Sequence, residues 1–302
     1  MRMRDVMLVV LALGGLATGV VFPKFGLLFS PWTVHVLMAQ LFFSFLGVDF
    51  RSLARVRPAD AVEVGVISAA KLFFVPILFW TIAAWLAPGW ALPVLLMSGV
   101  STGVTAPFIA NLLGSSPHRM LQVSALTSAL VPFTLPALVT LLLGQRLDIP
   151  YSYMARMLAL VLLPPGIVVF LLKRFSPGLA DRLNRLSVPL GIVLFFFVDM
   201  AIIAPFAGQV TGRIDRVLAA LGMATLLNVA FVSFGLGMSR LRRFRLDGLT
   251  GALGLTCINN TLVAVFAARF FGSDPTLLAV LYMFPYFLIL FPMRWVAERM
   301  HF

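Results

Sequence analysis

The stretch Ala106-Pro-Phe-Ile-Ala-Asn-Leu-Leu-Gly-Ser-Ser-Pro117 recurs 158 residues later as Ala264-Val-Phe-Ala-Ala-Arg-Phe-Phe-Gly-Ser-Asp-Pro275. Six of the twelve positions are identical: Ala, Phe, Ala, Gly, Ser and Pro. The offset is about half of the 302-residue chain. Each copy closes an apolar run, and the two runs are the fourth and ninth of ten. Two similar Gly-Ser-x-Pro turns after apolar helices would also match. The equal ordinal place favours a repeat. Five spans per half turn the second half over, so the expectation is an inverted repeat, as in many secondary transporters.

The composition supports a chain that lives in lipid. It is 61% hydrophobic, 11% charged and has a mean hydropathy of +1.03, where soluble domains are about 25% charged. The fold class expected is an all-α polytopic membrane protein of ten transmembrane helices, as two inverted five-helix repeats with crossed, broken helices 4 and 9. A span needs about 20 apolar residues. The ten runs are Val6–Phe22, Val34–Val48, Ala61–Ala87, Leu92–Leu113, Met120–Leu143, Tyr153–Leu172, Leu186–Ala207, Val217–Met238, Leu249–Phe271 and Leu277–Val296. One transmembrane domain covers 1–302, with repeat 1 at about 6–144 and repeat 2 at about 153–298. The first run follows Arg2 and Arg4 and imitates a signal peptide. No small-residue cleavage site precedes Lys24, so it reads as a retained helix. Cys257 is the one cysteine. It has no internal disulfide partner, and its apolar surroundings point to an unreactive thiol.

A net charge of +12 would suggest nucleic acid in a soluble protein. Here it reads as topology. Sixteen of the 23 basic residues fall in loops on the N-terminal side. Six, namely Lys24, Arg146, Arg156, Arg213, Arg216 and Arg269, fall on the other, and Lys71 lies within a span. The positive-inside rule then puts both termini in the cytoplasm. The expected location is a bacterial-type inner (plasma) membrane, with the lipid bilayer as partner and no nucleic acid.

Just before each repeated block the helix looks interrupted. The first half reads Ser98-Gly99-Val100-Ser101-Thr102-Gly103-Val104-Thr105-Ala106-Pro107, and glycines with a proline weaken a helix. The second reads Gly254-Leu255-Thr256-Cys257-Ile258-Asn259-Asn260-Thr261. Paired asparagines in lipid would carry unmet hydrogen bonds, so they should face protein or a cavity. Breaks at matching places in two repeats point to a transport site. Half-helix N-termini suit an anion and unwound carbonyls suit a cation. Ser101, Thr102, Thr105, Thr256, Asn259, Asn260 and Thr261 are therefore candidate substrate or ion contacts. Taken singly, each hydroxyl reads as interhelical glue; the cluster reads as a site.

From Ala61 to Ala87 the only charges are Glu63 and Lys71. Lys71 lies about 15 Å along the helix from Ala61, near mid-membrane. A charge there costs roughly 2.5–3.5 kcal/mol unless it is paired or wet, which makes it a functional candidate. The competing reading is a lysine that snorkels to an interface. Asp199 is the other intramembrane charge, either paired with Lys71, facing a vestibule, or wet near the end of the seventh span. Asn228 is almost the repeat mate of Lys71 and is expected near the ninth-helix break. Arg269 draws anions or snorkels.

These residues resemble the bile acid/sodium symporter superfamily over nearly the whole chain. The stretch Leu46-Gly47-Val48-Asp49-Phe50 through Arg57-Pro58 resembles that family's linker, and the run ending in Pro76 its third helix. The run Val265 to Ala279 looks at least as much like the related auxin efflux carriers. The resemblance implies two Na⁺ behind the crossing helices, held by a Gln five residues before the third-helix Pro and a Glu-x-x-x-Gln-Asn run in the ninth helix. Lys71 stands at that Gln position. Leu255 stands at the Glu position and Asn259 at the second Gln. The family's fourth-helix Ser-Asn pair falls on Pro107 and Phe108. Ser124, Thr127 and Ser128 are the nearby candidates for residual sodium contacts; no metal ligand set is complete. Losing the carboxylate and gaining an ammonium implies that Lys71 takes the place of one sodium ion. It would bridge the crossing helices through their carbonyls, Asn259 and Thr256.

The function expected is secondary active transport of a small organic anion by alternating access, bile acid/sodium symporter-like, with degraded sodium sites. The alternatives are an auxin-efflux-carrier-like exporter, an ordinary sodium-coupled symporter, and a ligand sensor on the same scaffold. An enzyme is not expected: His35, His118 and His301 are dispersed and no nucleophile motif occurs. No cofactor is implied. Coupling to sodium or to protons stays open, as do the substrate and the oligomeric state.

Overall fold

The computed structural model describes residues 3–49, 58–144, 149–240, 246–289 and 292–293. Residues Phe50 to Arg57 of the proposed Leu46–Pro58 linker, and Arg2, Arg146, Arg242, Arg243, Arg245, Arg294, Arg299 and His301, lie outside them. Helices account for nearly all of the rest. They are α1 (Met3–Val21), α2 (Pro23–Phe29), α3 (Thr33–Leu46), α4 (Pro58–Ala69), α5 (Val75–Leu86), α6 (Ala91–Gly99), α7 (Ala106–Leu112) and α8 (Pro117–Leu143). There follow α9 (Tyr151–Phe175), α10 (Pro177–Ile203), α11 (Ala207–Gly212), α12 (Ile214–Gly237), α13 (Gly248–Thr256), α14 (Asn260–Phe270), α15 (Ser273–Leu281) and α16 (Met283–Leu288). Among the described residues there is no strand, only one isolated bridge.

The protein is an all-α integral membrane protein. Among the described residues six helices are long and apolar enough to cross a bilayer, at Pro23–Leu46, Asp60–Leu86, Pro117–Leu143, Tyr151–Phe175, Pro189–Gly212 and Ile214–Arg240. The sequence offered ten runs; the four not among these are the first, fourth, ninth and tenth, and for the last three the helix breaks are the cause. The fourth run is split into α6 and α7 and the ninth into α13 and α14, so neither is one helix of spanning length. The tenth is split into α15 and α16 and then leaves the described residues. The seventh begins earlier than the hydropathy indicated. Pro177 opens α10 in the first turn, where the missing N–H costs nothing, so Arg182 and Arg185 sit on a helix rather than in a loop.

Local sequence sets the remaining boundaries. Ser116 caps α8 by accepting the Arg119 N–H, with Pro117 behind it. Asp247 caps α13 by accepting the N–H groups of Leu249 and Thr250. Gly114 (φ 73°) and Gly272 (φ 80°) are the positive-φ glycines. They occupy the same place in the two repeated blocks, where the chain turns out of α7 and α14, and only glycine takes this backbone without cost.

The helices form two groups. In one, α1 and α3 pack on α10, and α3 also packs on α9. In the other, α12 packs on α13 and α15, α5 on α6, α14 on α15, and α4 and α7 on α8. The groups meet where α8 lies along α9 and where α14 and α15 lie against α10. The second group holds both broken helices.

Candidate functional site

The two breaks meet each other. Unwound residues 100–105 separate α6 from α7, and residues 257–259 separate α13 from α14. Thr102 and Ile258 form an antiparallel bridge. Gly103 donates its N–H to Cys257 O at 2.6 Å and Asn259 donates to Ser101 O at 2.8 Å. Backbone groups freed by unwinding thus satisfy one another across the crossing, as buried backbone must. Glycine at 103 permits the approach: a Cβ there would lie 2.8 Å from Ile258 O.

Hydroxyls from α8 hold the first break. Thr127 Oγ1 accepts the Thr102 N–H at 3.1 Å and donates to Val123 O at 2.7 Å. Ser124 Oγ lies 3.1 and 3.2 Å from the carbonyl oxygens of Thr102 and Gly103. Ser124 and Thr127, candidates for residual sodium contacts, are therefore engaged with the unwound backbone. Ser128 is buried with an unpartnered hydroxyl among the described residues.

The second break is held at the C-terminal carbonyls of α13. Thr102 Oγ1 donates to Gly254 O at 2.7 Å, Lys71 Nζ to Leu255 O at 3.2 Å, and the Tyr282 hydroxyl to Thr256 O at 3.0 Å. Three elements thereby converge on one helix end. That end carries the negative pole of the helix dipole, which an ammonium complements.

Lys71 reaches it from a π-turn, Ala70–Phe74. The cause is Pro76, whose ring cannot sit over the carbonyl four residues back. Val75 N–H bonds Ala70 O, five residues back, and the wider turn results. The Lys71 side chain is fully buried, with Nζ 5.1 Å from the Phe231 ring centroid. It does not snorkel. Of the expected partners only the α13 end is met, and there through Leu255 O. Asn259 instead caps α14, accepting the Leu262 N–H at 3.4 Å through Oδ1. Its Nδ2, the Thr256 hydroxyl and the Ser101 hydroxyl are buried without a hydrogen-bond partner among the described residues.

Asn228, one turn before Phe231 on α12, is buried next to the Tyr282 hydroxyl. Neither of its amide atoms has a protein partner at hydrogen-bonding geometry among the described residues. Thr261 is buried in the first turn of α14. Two candidates lie on a more open side. Thr105 is exposed and shares a 3.3 Å hydrogen bond with the Tyr286 hydroxyl, and Asn260 is half-buried. Asp199 is not part of the cluster. It is buried on α10, in the other helix group, and no ion pair joins it to Lys71. The pairing considered from the sequence is thus absent. Arg269 donates to the Tyr153 hydroxyl at 3.2 Å on an exposed surface.

Sequence reading missed a polar network at the other end of α13. Arg119 pairs with Asp60 at 2.8 Å and Glu63 at 2.7 Å. Glu63 also accepts the Asp247 N–H at 2.9 Å. Asp247 in turn accepts from Ser115 and Thr250 hydroxyls. Asp60 and Glu63, three apart on one helical face, were the available signal. Tyr282 and Phe231 were also missed, because apolar runs do not mark which ring faces a site. Comparison with known proteins adds no family: no family model matches the chain, and no curated protein matches it.

Proposed function

We propose that this chain is a secondary active transporter of a small organic anion working by alternating access, with Lys71 as a built-in cation where related carriers bind sodium. The crossed pair of broken helices carries this reading. Such crossings place helix ends and free backbone groups at mid-membrane, where an ion or anionic substrate can use them. An ammonium already occupies the carbonyl end of α13. The open side, with Thr105 and Asn260 beside the capped N-terminus of α14, is left for substrate, and the positive dipole end of that helix favours an anion.

In this reading the chain has ten spans in two inverted repeats, with both termini in the cytoplasm. What supports the repeat is the pair of breaks at the same ordinal place and the positive-φ glycines Gly114 and Gly272 at matching positions. Ser101 and Asn259, also 158 residues apart, meet at the crossing, as expected of a pseudo-two-fold axis between the halves. The two helix groups would be the bodies that move, with α14 and α15 against α10 as the sliding contact.

Purified protein screened by thermal shift against a panel of organic carboxylates and sulfonates should give a stabilising ligand. The labelled ligand should then show counterflow in proteoliposomes. Stabilisation without counterflow would leave a binding protein and overturn the transport reading.

A further inference from the structure

Two charges of the third span, Glu63 and Lys71, touch α13, one at each end. Glu63 Oε1 accepts the backbone N–H of Asp247 at 2.9 Å, and Lys71 Nζ donates to Leu255 O at 3.2 Å. Each pair is separated by the same 184 residues of chain. The contacts are therefore eight residues apart on both helices, or about 12 Å, and the helices run parallel. Between them Ile67 lies over Gly254. We infer that Glu63 is a positioning residue for Lys71: the third span grips α13 at both ends, so that the crossing half-helix and the buried ammonium form one rigid unit.

The signs match the grip. Glu63 places negative charge at the α13 N-terminus and Lys71 places positive charge at its C-terminus, each against the opposite pole of the dipole. The N-terminal contact completes a capping box from outside the helix. Asp247 takes the N–H groups of Leu249 and Thr250, while a carboxylate takes the N–H of the cap itself. In an ordinary capping box that carboxylate comes from the third residue of the same helix; here position 250 is threonine and Glu63 supplies it. Arg119, itself paired with Asp60, fixes the Glu63 carboxylate in turn. Moving α13 along or away from the third span breaks both ends together. This inference rests on Lys71 being the site's built-in cation, yet its test needs no transport.

Amide hydrogen exchange on the full chain in nanodiscs decides it, comparing wild type with Glu63→Gln, Lys71→Met, the double variant and Lys71→Arg. Gln keeps the size and an acceptor oxygen but loses the charge. Glu63→Gln should speed exchange at residues 257–260, the far end of α13, by roughly three- to tenfold. Lys71→Met should do the same at 247–250. The double variant should exchange no faster than the faster single, and Lys71→Arg should stay near wild type at both ends. Acceleration confined to 247–250 in Glu63→Gln, or effects that simply add, would overturn the inference. Should Lys71→Met yield no folded protein, Glu63→Gln alone still decides, because its readout lies at the opposite end. A chain that transports nothing would leave these rates unchanged, so the two claims fail separately.

Discussion

At the first break, hydroxyls from a single helix, Ser124 and Thr127 of α8, hold an unwound backbone of six residues. At the second, three residues are unwound, and the carbonyl end of α13 is held by Thr102, Lys71 and Tyr282 from three different elements. The two breaks thus share a shape but not a chemistry. A neutral hydroxyl satisfies a backbone group and leaves the local charge alone. A buried ammonium carries a charge that desolvation makes costly unless the surroundings compensate. The difference lies at the second break, where a lysine amine meets the carbonyl end of α13.

Substitutions separate the shared shape from the different chemistry. Gly103→Val strikes both breaks, because even a Cβ would meet Ile258 O at 2.8 Å. It should cost about 3 kcal/mol or more in chemical unfolding, and a near-wild-type midpoint would break the account of the crossing. Arg119→Met leaves Asp60 and Glu63 without their cation at the end of α13 away from the second break. With Arg119 partly solvated, about 2 kcal/mol is expected in the same assay. Thr127→Val removes the acceptor of the Thr102 N–H, at the first break only. A loss of about 1.5 kcal/mol should come with faster amide exchange at Thr102 and no change at Cys257. Tyr282→Phe does the reverse, at about 1 kcal/mol, and equal effects at the two breaks would blur the distinction drawn here. Thr105→Val, on the open side, should change stability by less than about 0.5 kcal/mol while weakening any stabilising organic anion found by thermal shift.

The breaks themselves were legible in the sequence. Glycines 99 and 103 with Pro107, and the pair Asn259-Asn260, cannot sit comfortably in a lipid-facing helix, and the structure unwinds the chain at both. Lys71 was legible as a charge at the wrong depth, and it does meet the α13 end. Its partner Leu255 O was not legible, since a backbone carbonyl leaves no trace in side-chain pattern. Asp199 read from hydropathy as a possible mate for Lys71; the helix packing puts it in the other group. Glu63 was passed over as a charge near a span end. Its role depends on the third span and α13 being in register over 184 residues, and helical periodicity, which is local, carries no such information.

The most direct test of the built-in cation is the sodium dependence of ligand stabilisation. Wild type and the Lys71→Gln/Leu255→Glu variant would be melted with the best organic anion in sodium chloride and in choline chloride. The account predicts the same stabilisation of wild type in both salts, with sodium dependence emerging only in the double variant. Sodium-dependent stabilisation of the wild type would contradict it and return the protein to ordinary sodium coupling through other oxygens.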